Sequence, residues 1–344
     1  NPNYRFQHDR IQQAAYALID ADHRQAVHLS VGRLIQRHAD EAGRRERLID
    51  IVGHLNEGRQ LIEDPAERLL LAQLNLTAGT QAQHSSAYGA ALAYLGIAQE
   101  LLPHDAWDSQ YTLMLAVATE YQQCAYLTAR YDEAETWIER LLAHARTPLE
   151  RAEILSQRTR QYATIGKMED SIRAAVMGLS LLGLDLNDTP DAAAIRSERA
   201  AVRRNLAGRR IADLIDAPPL TDPAAGVAIR LLMEIFPAAF LSGSGSLFPF
   251  LVLKSVNISL RMGTSPESAF AYAAYGMLLC GSLDDPALGL EFGQLAVAMN
   301  DRLDDIGLKS RVIYVYTMFV HHWSHHWSSM TPWFRRGIDS GYRS

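Results

Sequence analysis

HLNEGRQLIEDPAERLLLAQLNLTAGTQAQHSSAYGAALAYLGIAQELL, residues 54–102, is the stretch on which the fold turns. It reads as a helix, a turn at Ser85 and a second helix, in which Ala87, Ala90, Ala91, Ala93 and Gly96 are small enough to let the pair lie close. A hairpin of this kind is apolar on both sides and cannot bury itself alone. It therefore predicts stacked neighbours.

Outward from that hairpin the pattern repeats. Helices opening near Pro65, Asp105 and Pro148 are about 40 residues apart, and each is followed by a partner opening near Ser86, Arg130 and Gly166. In the partners Tyr88, Tyr131 and Met168 are followed three residues later by Ala91, Ala134 and Ser171, the large-then-small offset that interlocking helices require. Upstream, apolar spacing predicts helices over 4–20, 23–42 and 44–61. Downstream it predicts 223–241, 247–261, 266–280, 286–303 and 306–326, with a last helix after Pro332. The fold class expected is all-α, a tetratricopeptide-like α-α superhelix, that is, a solenoid of antiparallel helix pairs.

Composition narrows the function classes. Hydrophobic residues make up 48% of the 344, which excludes disorder, and a net charge of -6 gives no global reason to bind nucleic acid or an anionic membrane. Cys124 and Cys280 stand in different segments, so no disulfide framework is expected and a reducing compartment fits. No uninterrupted apolar run reaches about 18 residues, and the longest, 269–280, is too short to span a bilayer. A secretory leader is not recognisable, and a start at Asn1 without Met is expected of an excised piece.

The motifs of common enzymes are missing. Ser242-Gly-Ser-Gly-Ser246 has no following Gly-Lys-Ser/Thr and reads as a loop, and no GxSxG, HExxH or CxxC occurs, so neither catalytic residues nor a cofactor are expected. In His321-His-Trp-Ser-His-His-Trp327, His321 with His325 and His322 with His326 are four apart, the helical spacing at which two imidazoles can share a metal. No third ligand lies nearby in sequence. The plainer expectation is that Trp323 and Trp327 pack while the histidines flank them, leaving His321 and His325 as metal candidates only. Arg196, Arg199, Arg203 and Arg204 line one side of a helix and can dock an acidic partner, although Asp191, Glu198 and Asp213 partly neutralise them and favour a solvated face. Tyr272, Tyr275, Phe292, Tyr314, Tyr316, Phe319, Trp323 and Trp333 concentrate in the last third. They serve either a core or a binding groove. Arg196, Arg199, Arg203, Tyr272, Tyr275 and Trp323 are the candidate partner- or ligand-binding residues.

HLN at 54–56, LNLTAG at 74–79, Ser-Ala-Tyr at 86–88, Phe-x-His-Asp-Arg at 6–10 and the patterns over 266–276 and 289–298 carry a resemblance. They are similar to the helical region of very large bacterial signalling proteins that join a protein-kinase-like domain, a STAND-type ATPase, helical repeats, a GAF domain and a sensor histidine kinase. The resemblance implies that 1–62 closes the ATPase module with linker helices. His8 and Asp9 would stand at that contact, although Asp9 serves equally well as a helix cap. It further implies a first array over 63–188, an Arg-rich linker helix over 189–221 and a second array over 222–344 that is cut off at its end. The function implied is that of a non-catalytic sensor and interaction region of a cytoplasmic signal-transduction protein whose ATPase and kinase domains lie elsewhere. Its partners would be those flanking modules and a protein or small-ligand signal, with self-association, no nucleic acid and no membrane span. The rival expectations are a passive oligomerisation scaffold and a metal-binding enzyme fragment built on the His-rich segment.

Overall fold

The computed structural model describes residues 20–241 and 245–342, so the expected helix over 4–20 and the pair His8 and Asp9 fall outside the described residues. Regular structure among the described residues is helical, apart from an isolated β-bridge between Pro219 and Thr264. The chain divides after His144 into two compact units.

The first unit contains α1 (Ala21–His38), α2 (Leu48–Glu57), α3 (Pro65–His84), α4 (Tyr88–Leu101), α5 (Tyr111–Leu127) and α6 (Tyr131–His144), with short helices at Glu41–Glu46 and Ala106–Ser109. α1 stops short of the expected residue 42 because Asp40 starts the short helix instead, its carboxylate accepting from the Gly43 N–H at 2.8 Å. α3 begins where the sequence signals it: Asp64 accepts from the Ala66 N–H at 3.1 Å, and Pro65 occupies a position whose missing donor costs little. In the α5–α6 pair, Tyr126 meets Tyr131 beside the turn and Tyr121 meets Trp137 further from it. Partners that step back along one helix as they step forward along the other make the pair antiparallel.

The turns show why the hairpins recur. After α3 and after α5 the chain passes through a left-handed residue, Ser86 (φ 59°) or Ala129 (φ 60°). The N–H of the next residue then reaches back to a carbonyl in the last helical turn, Ala87 to Ala82 at 2.8 Å and Arg130 to Ala125 at 2.9 Å. A third copy closes the first hairpin of the second unit, with Gly166 at φ 81° and Lys167 bonded to Tyr162 at 2.9 Å. The small residues of the offset pattern, Ala91, Ala134 and Ser171, are all buried.

Two of the segments that carry the family resemblance meet in the first unit. Asn56 donates to the Asn75 side-chain carbonyl at 2.8 Å, Asn75 returns the bond at 2.8 Å, and Asn75 also donates to the Leu71 carbonyl at 2.9 Å. This amide pair ties α2 to α3 with its polar atoms satisfied away from water. Beside it the His54 and His28 rings meet, Nδ1 to Nδ1 at 2.8 Å, and join α2 to α1. Burial, then the neighbouring His28, holds His54 below its ordinary pKa, with Asp50 opposing.

The second unit contains α7 (Pro148–Thr164), α8 (Met168–Leu181), α9 (Ala192–Leu206), α10 (Pro223–Glu234), α11 (Leu247–Met262), α12 (Pro266–Gly281), α13 (Pro286–Leu303), α14 (Ile306–Val315) and α15 (Thr331–Gly341). Its core gathers Val202, Leu231, Leu251, Tyr272, Phe292 and Val312 from six of these helices. The expected helix over 223–241 breaks at Ile235 and resumes as Phe236–Leu241, because Pro237 lacks the donor needed to continue and disfavours helical geometry before it. By length and composition Pro223–Leu241 is apolar enough to cross a membrane, yet 61% of that window is buried inside the unit. Its charges are also paired there, Glu234 with Arg160 at 3.0 Å and Arg230 with Glu267 at 3.3 Å, as suits a core helix.

The expected helix over 306–326 is shorter than its spacing suggested. α14 ends at Val315, a wider π turn covers Tyr316–Val320, a single 3-10 turn covers His321–Trp323, and His325 and His326 are not helical. The Thr317 hydroxyl donates to the Ile313 carbonyl at 2.7 Å within that wider turn.

Candidate functional site

Six aromatic rings in the second unit touch in series. Tyr314 meets Phe319 at 6.1 Å, Phe319 meets Phe240 at 6.2 Å, Phe240 meets Phe248 at 5.4 Å, Phe248 meets Phe236 at 5.8 Å and Phe236 meets Phe270 at 5.8 Å. All but the last pair are edge to face, the arrangement the ring quadrupoles favour. The rings line two adjoining lobes of an apolar surface groove, about 380 Å³ and about 460 Å³, whose walls share Phe240, Phe248, Met277 and Phe319. Each volume is in the range of small-molecule sites.

Three local features place these side chains. The break at Pro237 starts a new helix that carries Phe236 and Phe240. The π turn buries Tyr316 and Val320 while leaving Phe319 half-buried on the groove. α12 is fixed by its seam with α13, where a Cβ on Gly276 would come within 2.8 Å of the Gly289 carbonyl oxygen. With that face sealed, Phe270, Ala274 and Met277 of α12 line the groove. The rings do not close over it: Phe240 is 48% exposed, Trp323 49% and Tyr314 54%. Together they form a contiguous exposed apolar patch, the kind of surface that marks interaction sites or ligand-binding grooves.

Polar groups are few. Arg311 lines the first lobe, and Ser282 and His322 line the second. The His322 Nδ1 is buried and makes no hydrogen bond among the described residues.

Of the residues singled out from sequence, Trp323 lies on the groove, with Tyr314 and Phe319 from the wider aromatic set. Tyr272 and Tyr275 are core residues instead, 1% and 3% exposed, and burial raises both phenols above the ordinary tyrosine value, Tyr272 by a wide margin. Arg199 and Arg203 come near enough to oppose the shift at Tyr275, but its ring is sealed from solvent. On α9, Arg196 and Arg203 are exposed and Arg199 is half-buried. Glu198 turns the other way, onto Lys254 at 2.9 Å and Asn257 at 2.8 Å of α11. The arginines therefore do not converge with Trp323 on one site. Phe236, Phe240, Phe248, Met277 and Arg311 were not singled out, although the density of Phe and Pro on both sides of the Gly-Ser loop was a usable signal.

The histidine segment forms a closed hydrogen-bond chain. The Tyr316 hydroxyl is 3.1 Å from His321 Nδ1, His321 Nε2 is 2.8 Å from Ser329 Oγ, and Ser329 Oγ donates to the His326 carbonyl at 2.6 Å. Because Ser329 spends its proton on that carbonyl, His321 Nε2 donates to it and Nδ1 accepts from Tyr316. A histidine that gives Ser329 a hydrogen bond is not positioned as its base. The ring of His325 stacks on His321 at 4.2 Å, and no group of three or more His, Cys, Asp or Glu among the described residues is arranged to hold a metal.

Burial first, then the neighbouring His325 and His322, holds His321 below its ordinary value of 6.5. Between the lowered folded value and 6.5 the unfolded chain binds the extra proton, so the second unit loses stability as the pH falls through that window. Thermal melts followed by tryptophan fluorescence are expected to shift downward from pH 7 to pH 5, and less steeply in His321→Gln. An equal slope in the variant would remove His321 as the cause.

No family model matches the chain. Over an alignment of 374 residues that covers 96% of this chain, it is 25% identical to the hybrid signal transduction histidine kinase G of Dictyostelium discoideum. The chain spans 11% of that relative's length.

Proposed function

We propose that this chain is a non-catalytic sensor and interaction region of a cytoplasmic signal-transduction protein, in which the groove of the second unit receives an apolar ligand and the helical hairpins relay its occupancy to flanking modules. The observation that carries this reading is the open groove, where Phe240, Tyr314 and Trp323, each about half exposed, stand on one apolar surface. The weak homology to a histidine kinase supports the signalling context, and the ATPase and kinase modules of a longer parent belong to the same proposal. Three hairpins closed by one turn geometry support a tetratricopeptide-like solenoid. In such an array small rotations between neighbours accumulate, which gives a bound ligand a mechanical route to distant modules. Burial pushes the Cys124 and Cys280 thiols up to about 11, which suits packing rather than redox signalling.

The neutral dye Nile red tests the groove. The wild-type chain is expected to bind it with a fluorescence rise, Met277→Trp to lose that binding by placing a larger ring on the wall both lobes share, and Trp327→Ala, at a ring outside the groove, to keep it. Undiminished binding by a folded Met277→Trp variant would move the site elsewhere.

A further inference from the structure

The two lobes differ in charge. Arg311 is the one charged residue lining the first lobe among the described residues, and the second lobe has none. The nearest carboxylate to Arg311 is that of Glu234, whose Oε2 is 3.9 Å from its guanidinium, too far for a hydrogen bond. Glu234 is 6% exposed and is already held by Arg160 Nε at 3.0 Å. Two guanidinium groups thus share one carboxylate, and Arg311, half exposed to solvent, keeps its donors open to a ligand beside a wall of phenyl rings. That planar fork of donors suits a single carboxylate.

The remainder of the groove selects the rest of the ligand. Beyond Arg311 its walls are Phe240, Phe248, Phe319, Met277 and Leu278, with Trp323 at the far rim. An extended peptide would leave its backbone N–H and C=O groups unpaired against these side chains, whereas a hydrocarbon chain has none to satisfy. A single cation is also too little for a charged membrane surface, which needs a cluster of basic residues. Resting on the groove reading above, we infer that the ligand is a monomeric amphiphile with one carboxylate head at Arg311 and an unbranched apolar tail lying past Met277 towards Trp323.

Displacement of Nile red from the full chain tests the head and the tail separately, with decanoate and decanol kept below the concentrations at which they aggregate. Decanoate is expected to displace the dye about tenfold more tightly than decanol, the difference made by one charge-assisted pair. Octanoate is expected to bind roughly tenfold more weakly than decanoate for the loss of two buried methylenes. Arg311→Met, which keeps the apolar stem, should bring decanoate to the level of decanol, and Arg311→Lys should restore part of the preference. Equal affinity of the acid and the alcohol in the wild type, or no effect of Arg311→Met, overturns the carboxylate assignment while the groove reading stands. Dye that neither compound displaces also overturns it and points to a polypeptide occupant. Dye binding untouched by Met277→Trp overturns both readings.

Discussion

Asn75→Leu is expected to lower the unfolding free energy of the first unit by about 2–4 kcal/mol, although the two side chains are close in size. Asn75 is wholly buried, and its amide exchanges two hydrogen bonds with Asn56, which is 8% exposed. Removing one partner strands a donor and an acceptor of Asn56 at a site that water barely reaches, and each stranded group costs about 1–3 kcal/mol. The lost bonds themselves matter less than those orphans. The double variant Asn56→Leu with Asn75→Leu should therefore recover much of the loss, since replacing both partners by apolar groups leaves nothing stranded. Urea unfolding of the full chain, read by hydrogen exchange in α2 and α3, checks both steps. Additive losses in the double variant would show that the pair is not coupled.

That pair also marks how far the sequence could be read. HLN and LNLTAG were visible as segments that carry a resemblance, but spacing along a chain does not say that Asn56 and Asn75 face each other across two helices. Hairpins were legible because the break between helical patterns and the small residue at each crossing lie within a few positions of one another, although Ser86 and Ala129 do not themselves announce a left-handed turn. The segment over 306–326 misled for the opposite reason. Its apolar spacing is helical, and periodicity does not encode the widening to a π turn over Tyr316–Val320 or the hydrogen bonds that join His321 to Tyr316 and Ser329. Aromatics divide in the same way. Tyr272 and Phe319 look alike in sequence, and only the neighbours that each helix brings decide that the first is sealed and the second lines a groove. The arginine row was legible as a row, yet α9 docks through Val202 in the core and through Glu198 and Asn205, which bond side chains of α11.

The seam between α12 and α13 carries the other large expectation. A Cβ at Gly289 would lie 2.5 Å from Cys280 Sγ and 2.9 Å from the Gly276 carbonyl oxygen. The sulfur can give a little, but the carbonyl belongs to a helix and cannot move alone. Helix propensity acts in the opposite direction, since glycine costs about 1 kcal/mol relative to alanine inside a helix. Space decides which effect wins. At Gly53 in α2 a Cβ meets nothing within 4 Å, so Gly53→Ala should stabilise by about 0.5–1 kcal/mol. Gly289→Val brings a branched side chain to the closed seam and recovers little propensity, so a loss of about 3 kcal/mol is expected. The consequence should reach the groove, because the helix pushed off the seam is the one that carries Phe270, Ala274 and Met277. A Gly289→Val chain that melts with the wild type and keeps its Nile red affinity would mean that the two helices are not in the close contact from which the groove wall is built.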